Sequence, residues 1–198
     1  MDLLQRIQRW YTINCNGDWE HENTISITNI DNPGWTVTID LYDTCLQSAA
    51  LPYTIVERTT TNWVGYSAEK GVFKGDGGSE NLSEILAYFL DTFLPLHLDA
   101  DCTMEIGLPA VGYEEKLWLI AEGRMVSEST LEITTIEDYG ITGNYLWSDN
   151  EILEAINKLG SAPLGLKTDF AVGDLIEPTI FQADDNMLRT FLVAPAKK

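Results

Sequence analysis

An α+β fold, with antiparallel sheets and flanking helices arranged as two small α+β units, is predicted by three features of the chain. Alternating β-branched and aromatic runs are separated by turn words, and amphipathic stretches at helical spacing bracket them. Hydrophobic residues make up 44% of the 198 positions, with six Trp, which is enough to close one large core or two smaller ones. The division is expected between residues 1–96 and 97–198.

In the first half, Leu3, Leu4, Ile7, Trp10 and Tyr11 recur at helical spacing and predict a helix over 2–13, ended by Asn16-Gly17. Residues 24–29 and 35–41 are alternating strands joined by Asp31-Asn32-Pro33-Gly34, whose Pro and Gly supply turn dihedrals, so a hairpin is expected. Residues 53–60 and 62–67 predict two more strands, followed by a glycine-rich loop over 74–79. The first sheet is thus expected to have four strands. Leu82, Ile85, Leu86, Phe89, Leu90 and Phe93 form the apolar stripe of a second helix, with Glu80 and Glu84 at its positive end and Pro95 as its stop.

The second half predicts strands over 102–108, 116–121, 125–129 and 131–136. A helix over 149–159 follows, with Asp149 and Asn150 as cap candidates and Gly160 as its end. Two further strand-like runs cover 175–182 and 188–193.

Thirty-one acidic against 12 basic side chains give a formal charge of -19 and a pI near 4.2. Such a surface repels nucleic acid, whose phosphates need Lys and Arg, and suits a basic protein partner through electrostatic steering. Solubility is the plainer account of the same acidity. The charge is spread over both halves, with 13 acids and 5 bases in 1–97 and 18 and 7 in 98–198.

Cys15, Cys45 and Cys102 are odd in number and contain no CxxC pair, so neither a disulfide frame nor a zinc site follows from them. The first ten residues lack the basic and apolar regions of a signal peptide, and no run is long enough to span a bilayer; a cytoplasmic protein without membrane contact is expected. No cofactor or metal is called for.

Catalysis has little to stand on. His21 and His97 are the only histidines, far apart in sequence. Asp18, Glu20, His21 and Glu22 form a cluster without ordered ligand spacing, which a hydrogen-bonded loop explains as well. Gly71 to Ser79 fits neither GxxxxGK[ST] nor GxGxxG and carries Asp76 where an anion would sit. No catalytic residue is assigned.

Trp10-Tyr11, the run Cys15-Asn16-Gly17-Asp18-Trp19-Glu20-His21, Asp31-Asn32-Pro33-Gly34-Trp35 and Glu80-Asn81-Leu82-Ser83-Glu84-Ile85-Leu86 together resemble the Imm53-type immunity proteins of bacterial polymorphic toxin systems. The resemblance spans residues 1–94 and does not extend to 95–198. It implies a cytoplasmic antidote that binds and silences a secreted toxin; together with the absence of a catalytic set, the expected action is non-enzymatic, stoichiometric binding that occludes the toxin's active site.

On that reading, Trp19 and Trp35 are candidate anchors among Asp18, Glu20, Glu22 and Asp31, since interfaces favour buried aromatics ringed by polar groups. The alternative for each indole is packing over the open end of the sheet; Trp63, Trp118 and Trp147 are assigned to packing. Glu114, Glu115, Asp184 and Asp185 complete the expected partner-binding set as acids on loops. The charge points to a basic, nuclease-type toxin. The extra length admits a second reading, a phage or plasmid-encoded inhibitor that mimics nucleic acid and binds a host nucleic-acid-binding defence protein.

Overall fold

A computed structural model describes residues 1–16, 18–111, 118–136, 167–182 and 189–195. They divide into two units, one of Met1–Ala100 with Ser127–Ser129, the other of Asp101–Val126 with the described part of Thr130–Lys198. Both sheets are antiparallel, and with the helices they make an α+β protein.

The first unit opens with α1 (Leu3–Asn14), started by a capping box in which Asp2 Oδ1 accepts from Gln5 N at 2.8 Å and Gln5 Oε1 from Asp2 N at 3.2 Å. A single-turn helix, α2 (Trp19–Glu22), follows. The strands are β1 (Ile25–Ile30), β2 (Gly34–Asp40), β3 (Leu51–Glu57), β4 (Trp63–Glu69) and β5 (Val72–Gly78), in the order β1-β2-β5-β4-β3. The fifth strand corrects the expected four. Residues 74–78, read as loop because of their glycines, form the centre of the sheet.

The reason lies in packing. Gly75 and Gly77 alternate onto the face covered by α3 (Leu82–Tyr88), where a Cβ on Gly75 would overlap the Ile85 methyl branch and one on Gly77 would lie 3.1 Å from Ile85 Cδ1. Glycine here lets the helix approach the strand. Lys70 and Gly71, both at positive φ (51° and 68°), make the two-residue β4–β5 turn whose twist matches the strands.

Pro95 does not stop the last helix. α3 widens into a π-helical segment, Phe89–Phe93, and continues as α4 (Leu94–His97). The π turn shifts the hydrogen-bond ladder just ahead of the proline, which has no N–H to donate. The core between sheet and helices centres on fully buried Trp10, Phe73, Phe89 and Phe93. Trp10 meets Trp19 edge-on at 5.8 Å and Phe89 at 5.2 Å.

The second unit carries β6 (Thr103–Pro109), β7 (Trp118–Ser127), β8 (Thr130–Ile136), β9 (Leu175–Gln182) and β10 (Arg189–Pro195), each paired with its neighbour in sequence. The two strands expected over 116–121 and 125–129 are one, β7. Gly123 lies inside it because a Cβ there would come within 3.2 Å of Leu131 Cβ and 3.3 Å of Ile106 Cδ1. The helix expected over 149–159 falls outside the described residues.

Among the described residues no helix is long and apolar enough to cross a membrane. Cys15 is buried and donates to Tyr11 O at 3.3 Å, whereas Cys45 and Cys102 are disulfide-bonded, a state their spacing did not suggest.

Candidate functional site

Three connections of the first unit converge at one end of its sheet. They are the β1–β2 turn at 31–33, the β3–β4 turn at 58–62 and the passage from β5 into α3. The register brings them together, pairing Ile30 with Gly34, Gly34 with Gly78, and Glu57 with Trp63. Gly78 is required at this junction because a Cβ would run into the carbonyl of Thr61.

A polar network pins the β3–β4 turn to the start of α3. Arg58 grips Glu84 in bidentate fashion, Nη1 to Oε2 at 3.0 Å and Nη2 to Oε1 at 2.5 Å, and also donates to Asn62 Oδ1 at 3.0 Å. Asn81 Nδ2 donates to Glu84 Oε2 at 2.8 Å and to Asn62 Oδ1 at 3.0 Å. Hydrogen bonds from Arg58, with burial opposing and Asn81 assisting, hold the Glu84 carboxyl below the ordinary carboxylate range; the same contact raises Arg58. The turn is therefore held in place while its threonines stay exposed.

Beside this turn lies a groove of about 740 Å³. Its floor is the sheet face turned away from the helices, where Ile55 stands opposite Gly65 and Glu57 opposite Trp63. Gly65 leaves a dip filled by the Tyr53 ring, whose Oη lies 2.6 Å from where a Cβ would stand. β3 is exposed along nearly its whole length; Tyr53 is 60% and Ile55 and Val56 each 44% exposed. Asn32, Pro33 and Thr59 to Thr61 form the rim.

This arrangement offers an aromatic ring, an aliphatic strand and hydroxyls, which is the chemistry of binding. Among the described residues no group of three or more His, Cys, Asp or Glu side chains is placed to hold a metal ion. A second hollow, of about 600 Å³, runs along α1 between Met1 and Thr12 and is walled by polar side chains such as Gln5, Gln8 and Arg9.

Residues 4–93 match the family model of immunity protein 53, Imm53. Over that segment the chain is similar to the Imm53 family. The match takes in every strand of the first sheet and ends with the last residue of the π-helical segment, Phe93. No curated protein and no solved structure matches the chain. The family words now have structural reasons. Asn81 and Glu84 belong to the network that holds the β3–β4 turn, and Trp10 and Trp19 meet in the core of the Imm53-like unit.

The residues expected from sequence to bind a partner are not brought together. Trp19 is only 3% exposed, and its Nε1 donates to Tyr42 O at 2.8 Å, so the ring packs the core as its alternative reading held. Glu20 is half-buried and accepts from Asn16 N at 3.1 Å, and Asn16 Oδ1 accepts from the backbone of Asp18 and Trp19 at 3.0 and 2.8 Å. This is the hydrogen-bonded loop considered above. Asp18 and Glu22 are exposed beside it.

Asp31 and Trp35 sit at the other end of the β1–β2 hairpin, a strand length of about 17–20 Å away. Trp35 is half-buried against the core and donates to Ser79 O at 2.9 Å; Asp31 is exposed next to Asn32 and Pro33 on the rim. Glu114, Glu115, Asp184 and Asp185 lie outside the described residues. Tyr53, Ile55 and Arg58 were not singled out from sequence, and Trp63 was assigned to packing although it lines the groove. The available signal was the alternation Tyr53, Ile55, Glu57 with a proline at the start of the run, the mark of an edge strand.

Proposed function

We propose that the chain is a non-enzymatic immunity protein that neutralises a cognate toxin by stoichiometric binding, with the groove beside β3 in its Imm53-like unit as the contact surface. The observation that carries the location is an edge strand exposed on both faces, with Tyr53 and Ile55 over a glycine dip and a turn braced by Arg58 and Glu84. Aromatic side chains in a hollow ringed by polar groups are typical binding anchors. The Imm53 match supports the toxin as partner.

A basic, nuclease-type toxin fits the charge of -19. At the groove itself the one guanidinium, Arg58, is engaged by Glu84, while among the described residues Glu57 and Asp31 have no ion-pair partner. An acidic surface of this kind speeds encounter with a cationic domain and occupies the site meant for phosphates. Occlusion follows from binding there, with no chemistry by the immunity protein.

The test is growth rescue. Each toxin-domain gene of the producing genome is expressed with and without the full chain. Rescue from one toxin, with a 1:1 complex on co-purification, is the expected result; no rescue from any of them contradicts the reading.

A further inference from the structure

We infer that β3 accepts a sixth strand, an extended Lys- or Arg-bearing segment of the toxin that pairs backbone to backbone along Thr54–Glu57. Taking the toxin as the source of that segment rests on the immunity reading; the edge itself does not.

The backbone directions follow from the register. Arg58 N donates to Asn62 O at 3.0 Å, which makes Arg58 a position facing β4. Antiparallel pairing alternates, so Val56, opposite Val64, also turns its N–H and C=O toward β4. Ile55 and Glu57 then turn theirs outward, away from the sheet. Among the described residues no strand lies beyond β3 in the order β1-β2-β5-β4-β3.

Edge strands are usually blunted by lysines, prolines or bulges, because an open row of N–H and C=O groups templates further pairing. β3 has such protection only at its start, where Pro52 and a register shift between Leu51 and Thr54 interrupt the ladder. From Thr54 to Glu57 the edge is regular and carries neither lysine nor proline. β1, the other edge, exposes one large apolar side chain, Ile27, among Ser26, Thr28 and Asn29, whereas β3 exposes Tyr53, Ile55 and Val56, so an added strand gains more apolar side-chain contact at β3. Strand addition obtains affinity from the main chain and selectivity from alternate side chains. Here the selecting groups are Glu57 and the hollow by Ile55, two residues apart on one face, which favour a segment with a cationic and an apolar residue at positions i and i+2.

The probe is a ten-residue peptide of Lys-Thr-Val-Thr repeats, which sets Lys and Val two apart on one face, alongside the same peptide N-methylated at alternate residues. Both are titrated into the full chain while backbone amides are followed by NMR. Expected is an exchange slowdown of about tenfold at the Ile55 and Glu57 amides, with Val56 and Arg58 unchanged and no effect from the N-methylated peptide. Ile55→Pro should abolish peptide binding while keeping the dispersed spectrum of a folded unit, because the N–H it removes faces solvent; Ile55→Thr, which keeps that N–H, should bind within about threefold of wild type.

Absence of binding, protection centred elsewhere, or indifference to N-methylation or to Ile55→Pro overturns the inference. The peptide result does not depend on any toxin. Failed rescue in the growth assay with intact strand addition would sink the immunity reading alone, and the reverse pattern would sink strand addition alone.

Discussion

Replacing Gly75 and Gly65 separately by alanine asks the sheet which of its two faces is core and which is site. On Gly75, between Val37 and Tyr66 in the register, the added Cβ would overlap Ile85 Cγ2 and lie 3.5 Å from Phe73 Cε1. Ile85 is fully buried, and its methyl branch is fixed to its Cβ, so α3 itself must move. Overpacking of this kind costs about 1–3 kcal/mol. Lower entropy of the unfolded chain returns about 0.4–1 kcal/mol, and because the overlap with a fixed, buried methyl branch puts the overpacking cost at the upper end of its range, the net loss is about 2 kcal/mol. For a unit of this size that lowers Tm by roughly 5–15 °C.

On Gly65 the same methyl group meets only the far end of Tyr53, an exposed ring that can swing into solvent. Stability should change by less than about 0.5 kcal/mol. The groove floor, however, loses its dip, and binding to the neutralised toxin should weaken by about tenfold. Thermal and urea unfolding followed by tryptophan fluorescence, with affinity measured in parallel, read both effects. A Gly75→Ala variant as stable as wild type, or a Gly65→Ala variant that is the less stable of the two, would refute the assignment of the faces.

Three other outcomes are expected. Trp19→Ala should destabilise the first unit by about 3–5 kcal/mol, as deletion of a buried indole does, and denaturant melts would show it; an effect on binding without one on stability would restore Trp19 as an anchor. Tyr53→Ala should leave Tm within a few degrees of wild type and weaken toxin binding by about tenfold or more in calorimetry. Because the folded Glu84 carboxyl lies below the unfolded value of about 4.3, its contribution is complete above that pH and is lost as pH falls through the lower folded value. The Tm gap between wild type and Glu84→Gln should accordingly hold from neutrality to about pH 5 and close below about pH 4, and a gap that widens on acidification contradicts the pairing.

Much of the fold was legible because its signals are local. The α1 stripe, the Asp31-Asn32-Pro33-Gly34 turn and the alternation of residues 175–182 depend on spacing within a few residues, and α1, the first hairpin and β9 stand where expected. β5 and β7 were misread for a non-local reason: Gly75, Gly77 and Gly123 are glycines because Ile85, Leu131 or Ile106 press on them from distant parts of the chain. Local pattern equates glycine with loop. Pro95 misled similarly, since a π turn upstream absorbs it.

The site was less legible than the fold. An indole beside carboxylates reads the same whether it faces solvent or, like Trp19, turns inward to bond Tyr42 O. Tyr53 gains its position only from Gly65 on the neighbouring strand, and Arg58 from Glu84 on a helix 26 residues away. Pairings across elements, which no short window contains, decide both.

Hydrogen–deuterium exchange of the full chain, free and in complex with the toxin it neutralises, tests the central claim most directly. Protection gained at residues 53–63 and at the 31–33 turn is the predicted result. Protection confined to residues 18–22, or to the chain beyond residue 100, would contradict it.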